Sequence, residues 1–169
     1  MAKQARHESQ SGYFADALYD LMVAEPRIWV LTADVGYGVL DSIRDDFPDR
    51  FINVGAAEQS LLDIGVGLAM SGKIPVCYSI TSFMLFRGFE TIRNYINHEK
   101  IPVIMVGRGR DTDYRDAGFS HWSKEDSVIM NTVFQNIRML APYYNDEAAK
   151  AIEKAVKFKN PSYINLSKR

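Results

Sequence analysis

Glu58 stands in the run Asn53-Val54-Gly55-Ala56-Ala57-Glu58-Gln59-Ser60, a carboxylate among small and apolar neighbours ahead of the helix-forming stretch Leu61 to Ala69. Burial among such neighbours favours the neutral acid and readies a glutamate for proton exchange near neutral pH. A helix start pulls the other way, because the macrodipole favours the ionised form. Burial wins if a partner chain covers the site. Phe83, Phe86 and Phe89 recur at spacing three. On a helix they make one stripe, which serves either as core packing or as a stacking platform for a flat ring. His121 lies in a polar segment from Asp111 to Asp126. A histidine there is either simply exposed, or donates a hydrogen bond to a substrate oxygen and shuttles protons.

These residues need elements to hold them. Short β-branched runs at Ile28–Thr32, Phe51–Val54, Pro75–Ile80, Val103–Val106, Ile137–Ala141 and Ser162–Leu166 read as strands. Between them lie helical patterns. Tyr13, Phe14, Ala17, Leu18, Leu21 and Met22 recur at helical spacing, and Ala57 to Ser71 puts Leu61, Ile64, Gly65 and Leu68 on one face. Phe83 to His98 is a helix or a loop plus helix, Ser123 begins another, and Asn145-Asp146-Glu147 opens the last, with Pro161 just beyond its end. Asp41 to Arg50 is charge-rich and reads as a solvated surface segment. Strands alternating with helices predict an α/β fold, a mostly parallel β-sheet with helices on both faces. Such sheets bind ligands beyond the carboxyl ends of their strands. Glycines at 65, 67 and 72 weaken an isolated helix, so they imply close backbone approach, within the domain or across an interface.

Composition bounds the rest. The 169 residues fit one domain spanning 1–169, and 47% hydrophobic with 24% charged residues suits a soluble globular protein. A net charge of −1 gives no reason to expect nucleic acid or an anionic membrane as partner. The single cysteine, Cys77, excludes an internal disulfide and a cysteine-based zinc cluster, and its apolar setting predicts a buried thiol. No signal peptide or membrane-length apolar run is visible, which makes a cytoplasmic protein the default. No Gly-x-Gly-x-x-Gly or Walker-type loop follows any strand, which argues against a generic nucleotide-binding domain.

The Gly55-Ala-Ala-Glu58-Gln59 segment, the aromatic stretch from Thr81 to Asn94 and Gly118-Phe-Ser-His121 followed by Glu125-Asp126 together resemble the pyrimidine-binding domain of transketolases and deoxyxylulose-phosphate synthases. The resemblance covers nearly the whole chain and implies the thiamine diphosphate-binding fold. In that family a glutamate hydrogen-bonds N1′ of the cofactor's aminopyrimidine and favours its imino tautomer, and the cofactor serves as electron sink. It implies Glu58 and His121 as catalytic residues. It implies Asp34, Phe83, Phe86 and Phe89 as further cofactor contacts. Aromatic spacing makes Phe86 the stacking ring, and alignment on Arg87 favours Phe83. Substrate contacts implied are Arg6, Arg108, Asp116, His121 and Lys168. Here the chain departs from the pattern: Gly38 stands where a serine is common, Gly107-Arg108-Gly109 where a histidine is expected, and Ala117 where an aspartate is expected, with Asp116 one residue earlier. Cofactor features thus match better than substrate features.

No Gly-Asp-Gly with a downstream asparagine occurs, so the Mg²⁺ and diphosphate signature is absent. The resemblance therefore implies a split enzyme. A second, diphosphate-binding transketolase subunit holds thiamine diphosphate and Mg²⁺, and a heterotetramer places the cofactor between unlike chains. The implied reaction is two-carbon ketol transfer on a small sugar. A 2-oxo acid decarboxylase or dehydrogenase component, or a non-catalytic regulatory subunit, are the alternatives.

Overall fold

The computed structural model describes residues 8–168. Six strands form one sheet in the order β2-β1-β3-β4-β6-β5. They are β1 (Ile28–Thr32), β2 (Phe51–Asn53), β3 (Ile74–Ile80), β4 (Ile104–Arg108), β5 (Arg138–Leu140) and β6 (Ser162–Leu166). Every strand pair in the sheet is parallel. All six carboxyl ends therefore open on one edge. The chain runs outward from β1 to β2 and then crosses back to β3, on the other side of β1. That reversal leaves a crevice of the kind in which open α/β sheets bind ligands.

Alternation along each strand divides the core in two. Val30, Val76, Tyr78, Val106 and Ile164 join the cluster beneath α1 (Gln10–Ala24) and α7 (Asn145–Phe158). Leu31, Cys77, Met105 and Tyr163 join the opposite cluster, beneath α3 (Glu58–Met70), α4 (Thr81–Arg87) and α6 (Asp126–Thr132). Helix α7 shows how its sequence forces this packing. Ala148, Ala151, Ile152 and Ala155 recur at helical spacing and are all buried, and Glu147 accepts the Tyr143 and Tyr144 amides at 2.7 and 3.2 Å.

The glycines of the α3 segment have separate reasons. A Cβ at Gly65 would stand 2.7 Å from Cys77 Sγ, so the helix rides directly on β3. Gly72 takes φ +79° in the turn after the helix. At Gly67 an added Cβ meets nothing within 4 Å, so nothing in this fold demands a glycine there.

Two expectations are refined. Half of the Asp41–Arg50 segment is exposed, yet it forms α2 (Asp41–Asp46) with Ile43 buried. Its Arg50 guanidinium folds back to donate to the carbonyls of Met22, Glu25 and Ile28, at 3.1, 3.3 and 3.4 Å. The stretch from Phe83 onward is not one helix. Gly88 ends α4, then α5 (Phe89–Thr91) passes into a π-helical turn at Ile92–His98. Among the described residues no helix is long and apolar enough to cross a membrane.

Candidate functional site

Glu58 is the first residue of α3, with four residues between it and the carboxyl end of β2, and only 2% of it is exposed. It is not the solitary acid its sequence neighbours suggest. Arg87, the last residue of α4, donates from Nη1 to Glu58 Oε2 at 2.7 Å. The same guanidinium lies over the Phe83 ring, with Cζ 4.0 Å from the centroid. Arg87 and Phe83 are four residues apart on one helix, so α4 itself builds the stack. A buried carboxylate, a flat cation bonded to it and an aromatic wall behind that cation thus form one unit. Helix α3 is held against α5 by Gln59, whose side-chain amide donates to Thr91 Oγ1, which in turn donates to Asp63, both at 2.5 Å.

The three phenylalanines do not form the expected single stripe. Phe83 is half-buried beside the acid, and Phe86 is 48% exposed one turn on. Phe89 falls beyond the break at Gly88 and packs its ring 5.0 Å from Phe134, in the cluster beneath α3, α4 and α6. The helix ends before the third ring, so the spacing-three register stops with it.

His121 also packs against Phe83, its ring centroid 4.7 Å away and edge-on. The loop carrying it is tied down at several points. Ser82 on α4 donates to the Ser120 carbonyl at 2.8 Å, and the Ser120 hydroxyl pairs with His121 Nδ1 at 3.1 Å. Ser123 donates through Oγ to the Gly109 carbonyl at 2.9 Å and through its amide to Asp111 at 2.8 Å. Asp126, at the start of α6, accepts from Tyr163 Oη at 3.0 Å and from the Asn165 side-chain amide. Burial raises its carboxyl above the usual aspartate range, and the Tyr163 hydrogen bond only partly offsets this. The sequence places Asp126 in a helix's first turn, and the structure gives it the further task of fastening the histidine loop to β6.

The remaining expected residues spread along the carboxyl edge. Asp34 follows β1 with φ +52°; its amide donates to Asn53 Oδ1 at 3.1 Å and its carboxylate accepts from Tyr37. Asn53 Oδ1 also accepts the Gly55 amide at 3.0 Å, so one side chain joins the β1 and β2 exits. Arg108 ends β4, and its Nε is buried without a hydrogen-bond partner. Lys168 follows β6, with Nζ 4.7 Å from the Tyr114 ring centroid. Its amide and the Ser167 hydroxyl both donate to Asp113, at 2.8 and 3.0 Å. Asp116 is exposed on the short turn Arg115–Ala117. Arg6 lies outside the described residues. Among the described residues no group of three or more His, Cys, Asp or Glu gathers as a metal site.

Sequence reasoning misses three participants. Arg87 serves there only to set an alignment register, although its distance of four residues from Phe83 is a visible hint. Tyr114, whose ring lies 5.8 Å from His121 and against Lys168, and Asn53, the clamp between strand exits, carry no signal beyond their types.

An all-parallel α/β sheet thus carries a buried glutamate beyond its carboxyl edge, with an arginine and an aromatic ring stacked beside it. The chain belongs to the transketolase pyrimidine-binding domain family, whose model matches residues 9–169. A putative transketolase C-terminal section from Methanocaldococcus jannaschii is 30% identical over 159 residues, 92% of this chain and 49% of the relative. One of the subunits of the apulose-4-phosphate transketolase from Actinobacillus succinogenes is 33% identical over 121 residues, 72% of this chain and 39% of that one. Among solved structures, a split gene transketolase described as an inactive β4 tetramer superposes with a TM-score of 0.82 at 31% identity, over 94% of this chain and 51% of the other. The chain thus spans about half the length of these relatives or less.

Proposed function

We propose that this chain, as one pyrimidine-binding domain over residues 1–169, is a subunit of a split thiamine diphosphate-dependent transketolase-type enzyme. A second polypeptide supplies the diphosphate and Mg²⁺ site, and the pair transfers a two-carbon ketol unit between small sugars. The single observation behind this is the unit of Glu58, Arg87 and Phe83. Its geometry suits a flat, nitrogen-rich ring: an in-plane N–H meets the Glu58 carboxylate while the π-face lies on Phe83. Two relatives are themselves portions of a transketolase, a C-terminal section and a separate subunit, and the similar structure is an inactive β4 assembly. These support a division between two chains. A heterotetramer with two chains of each type closes such interfaces.

Glu58 then shares a hydrogen with ring atom N1′, and its burial keeps water from competing for that contact. Phe83 forms the inner wall and Phe86 the outer one, while Phe89 acts from the core beneath. Asp34 and Asn53 shape the β1 and β2 exits around the acid. When bound, the cofactor supplies the base and electron sink of the reaction. His121, edge-on to Phe83, donates a hydrogen bond to a substrate oxygen. Arg108, whose Nε lacks a partner, and Lys168 offer positive charge to an anionic substrate terminus, with Arg6 and Asp116 at the rim.

The test is reconstitution with a companion chain bearing Gly-Asp-Gly and a later asparagine. Ketol transfer in the presence of thiamine diphosphate and Mg²⁺ is expected from the pair, and not from either chain alone. Glu58→Ala must fall well below a tenth of wild-type turnover; retention of a tenth or more removes Glu58 from the mechanism. Release of CO₂ from 2-oxo acids without ketol transfer would reassign the chemistry.

A further inference from the structure

Arg87 does something the proposed chemistry does not ask for. It donates to Oε2 of the carboxylate that the cofactor needs, and it lies over the Phe83 ring. Both contacts are those a thiamine aminopyrimidine carrying a hydrogen on N1′ would make. Guanidinium and aminopyrimidine are each planar, each present N–H groups in their plane and each offer a π-face. The two cannot occupy the same seat.

We infer that Arg87 is a displaceable stand-in for the aminopyrimidine, so that cofactor uptake is an exchange of one flat group for another. The inference rests on the thiamine reading above and deepens it. Four features make the exchange physically reasonable. Glu58 is fixed, with 2% exposed side chain, whereas the Arg87 side chain is 48% exposed and reaches in from solvent. Arg87 is the last residue of α4 with Gly88 directly behind it, so its side chain can swing without disturbing helical packing. Phe83 stays in place when it leaves, because the ring is also held by the His121 edge contact. A buried carboxylate without any partner is costly, and Arg87 lets the subunit fold with Glu58 already buried before partner and cofactor arrive.

Two consequences follow. Apparent cofactor affinity is lowered by the fraction of molecules in which Arg87 holds the seat, since only the open fraction is competent. The ion pair also has to break before Glu58 can serve the ring. Arg87 is thus a positioning residue in the free subunit, and not a catalytic one.

The experiment uses the purified chain and two small probes, guanidinium chloride at low millimolar concentration and 4-amino-5-aminomethyl-2-methylpyrimidine. Thermal unfolding and calorimetry are read for wild type, Arg87→Ala, Arg87→Lys and the double variant Glu58→Gln with Arg87→Ala. Arg87→Ala is expected to melt lower than wild type and to be raised by guanidinium, which leaves wild type unmoved. It should bind the pyrimidine about tenfold or more tightly than wild type, the range of one charge-assisted hydrogen bond. The double variant should lose both responses. If Arg87→Ala does not fold, Arg87→Lys keeps the cation without the plane, and it too should bind the pyrimidine more tightly than wild type. Equal pyrimidine affinity in wild type and the Arg87 variants overturns the exchange while leaving the thiamine reading intact. Rescue by guanidinium with no pyrimidine uptake in any variant overturns the thiamine reading, and the exchange with it.

Discussion

The two ends of the crevice are built by different means. Around Glu58 the polar groups are paired and carried by regular elements: the acid on the first turn of α3, Phe83 and Arg87 on α4, and Asn53 at the end of β2. Around His121 the groups sit at the end of β4 and on the short turns between it and α6, fastened by side chains to backbone; Arg108 Nε and Trp122 Nε1 are buried there without partners, as are Ser79 Oγ and Thr81 Oγ1 at the β3–α4 junction. A group carried on a helix behind a packed core is held more closely than one on a loop, which suits a contact that must stay the same whatever substrate is used. Unpartnered polar atoms at the loop end are what a variable substrate would complete. The same division runs through the sequence, where the glutamate segment follows the family pattern and the substrate side departs from it at Gly38, Arg108 and Ala117.

That contrast can be broken by substitution. The largest effect is expected at the paired end: Glu58→Gln in the reconstituted enzyme should lose at least about a hundredfold in turnover, the usual range for a positioned proton-transfer group. Next comes Arg87→Ala, which strands a buried carboxylate. It should destabilise the free chain by about 2–3 kcal/mol, below the full value for breaking a buried pair because Arg87 is half exposed, as read from denaturant midpoints. His121→Ala should lower kcat/KM by roughly tenfold while leaving the unfolding midpoint within about 0.5 kcal/mol of wild type, since a half-buried loop side chain carries little packing. A reversed pattern, with stability lost at His121 and activity lost at neither residue, would sink the contrast.

Smaller effects sharpen it. Asp126 has its carboxyl raised by burial, so the folded chain holds that proton to higher pH than the unfolded chain does. Its contribution to stability is complete below the ordinary aspartate range and is lost as pH rises through the folded-state value. Asp126→Asn should flatten that fall in midpoints measured from acidic to neutral pH. An unchanged slope would mean that burial does not raise the Asp126 carboxyl in the folded chain. Asp116→Asn, on an exposed turn, should leave stability unchanged and alter only the KM for substrates bearing a group that reaches the rim.

The fold was legible because period-two burial and β-branched runs are local properties. Strands at Ile28–Thr32 and Ser162–Leu166 match end to end. The β4 strand starts one residue later than expected and runs on through Gly107 and Arg108, whose types suggest a loop and whose backbone nonetheless pairs with β3 and β6. The break at Gly88 was not legible, because one glycine in a helical pattern does not distinguish a cap from an interior site. In the site, the burial of Glu58 could be read from its neighbours. Its partner could not, because Arg87 lies 29 residues away in the chain and the contact exists only once α3 and α4 pack. The single stripe of three rings was misread because it presumed one continuous helix, whereas α4 ends at Arg87, two residues before Phe89.

The seat of Gly65 on Cys77 gives the molecule a built-in clock. The thiol is fully buried beneath α3, donates to the Leu61 carbonyl at 3.6 Å, and is held well above its ordinary ionisation range by its surroundings. A thiol-reactive dye therefore gains access only when that helix lifts from the sheet, and the chain offers it one cysteine alone. Since the same helix begins with the acid, the rate of dye uptake counts how often the acid's support comes loose, with no probe added to the site itself.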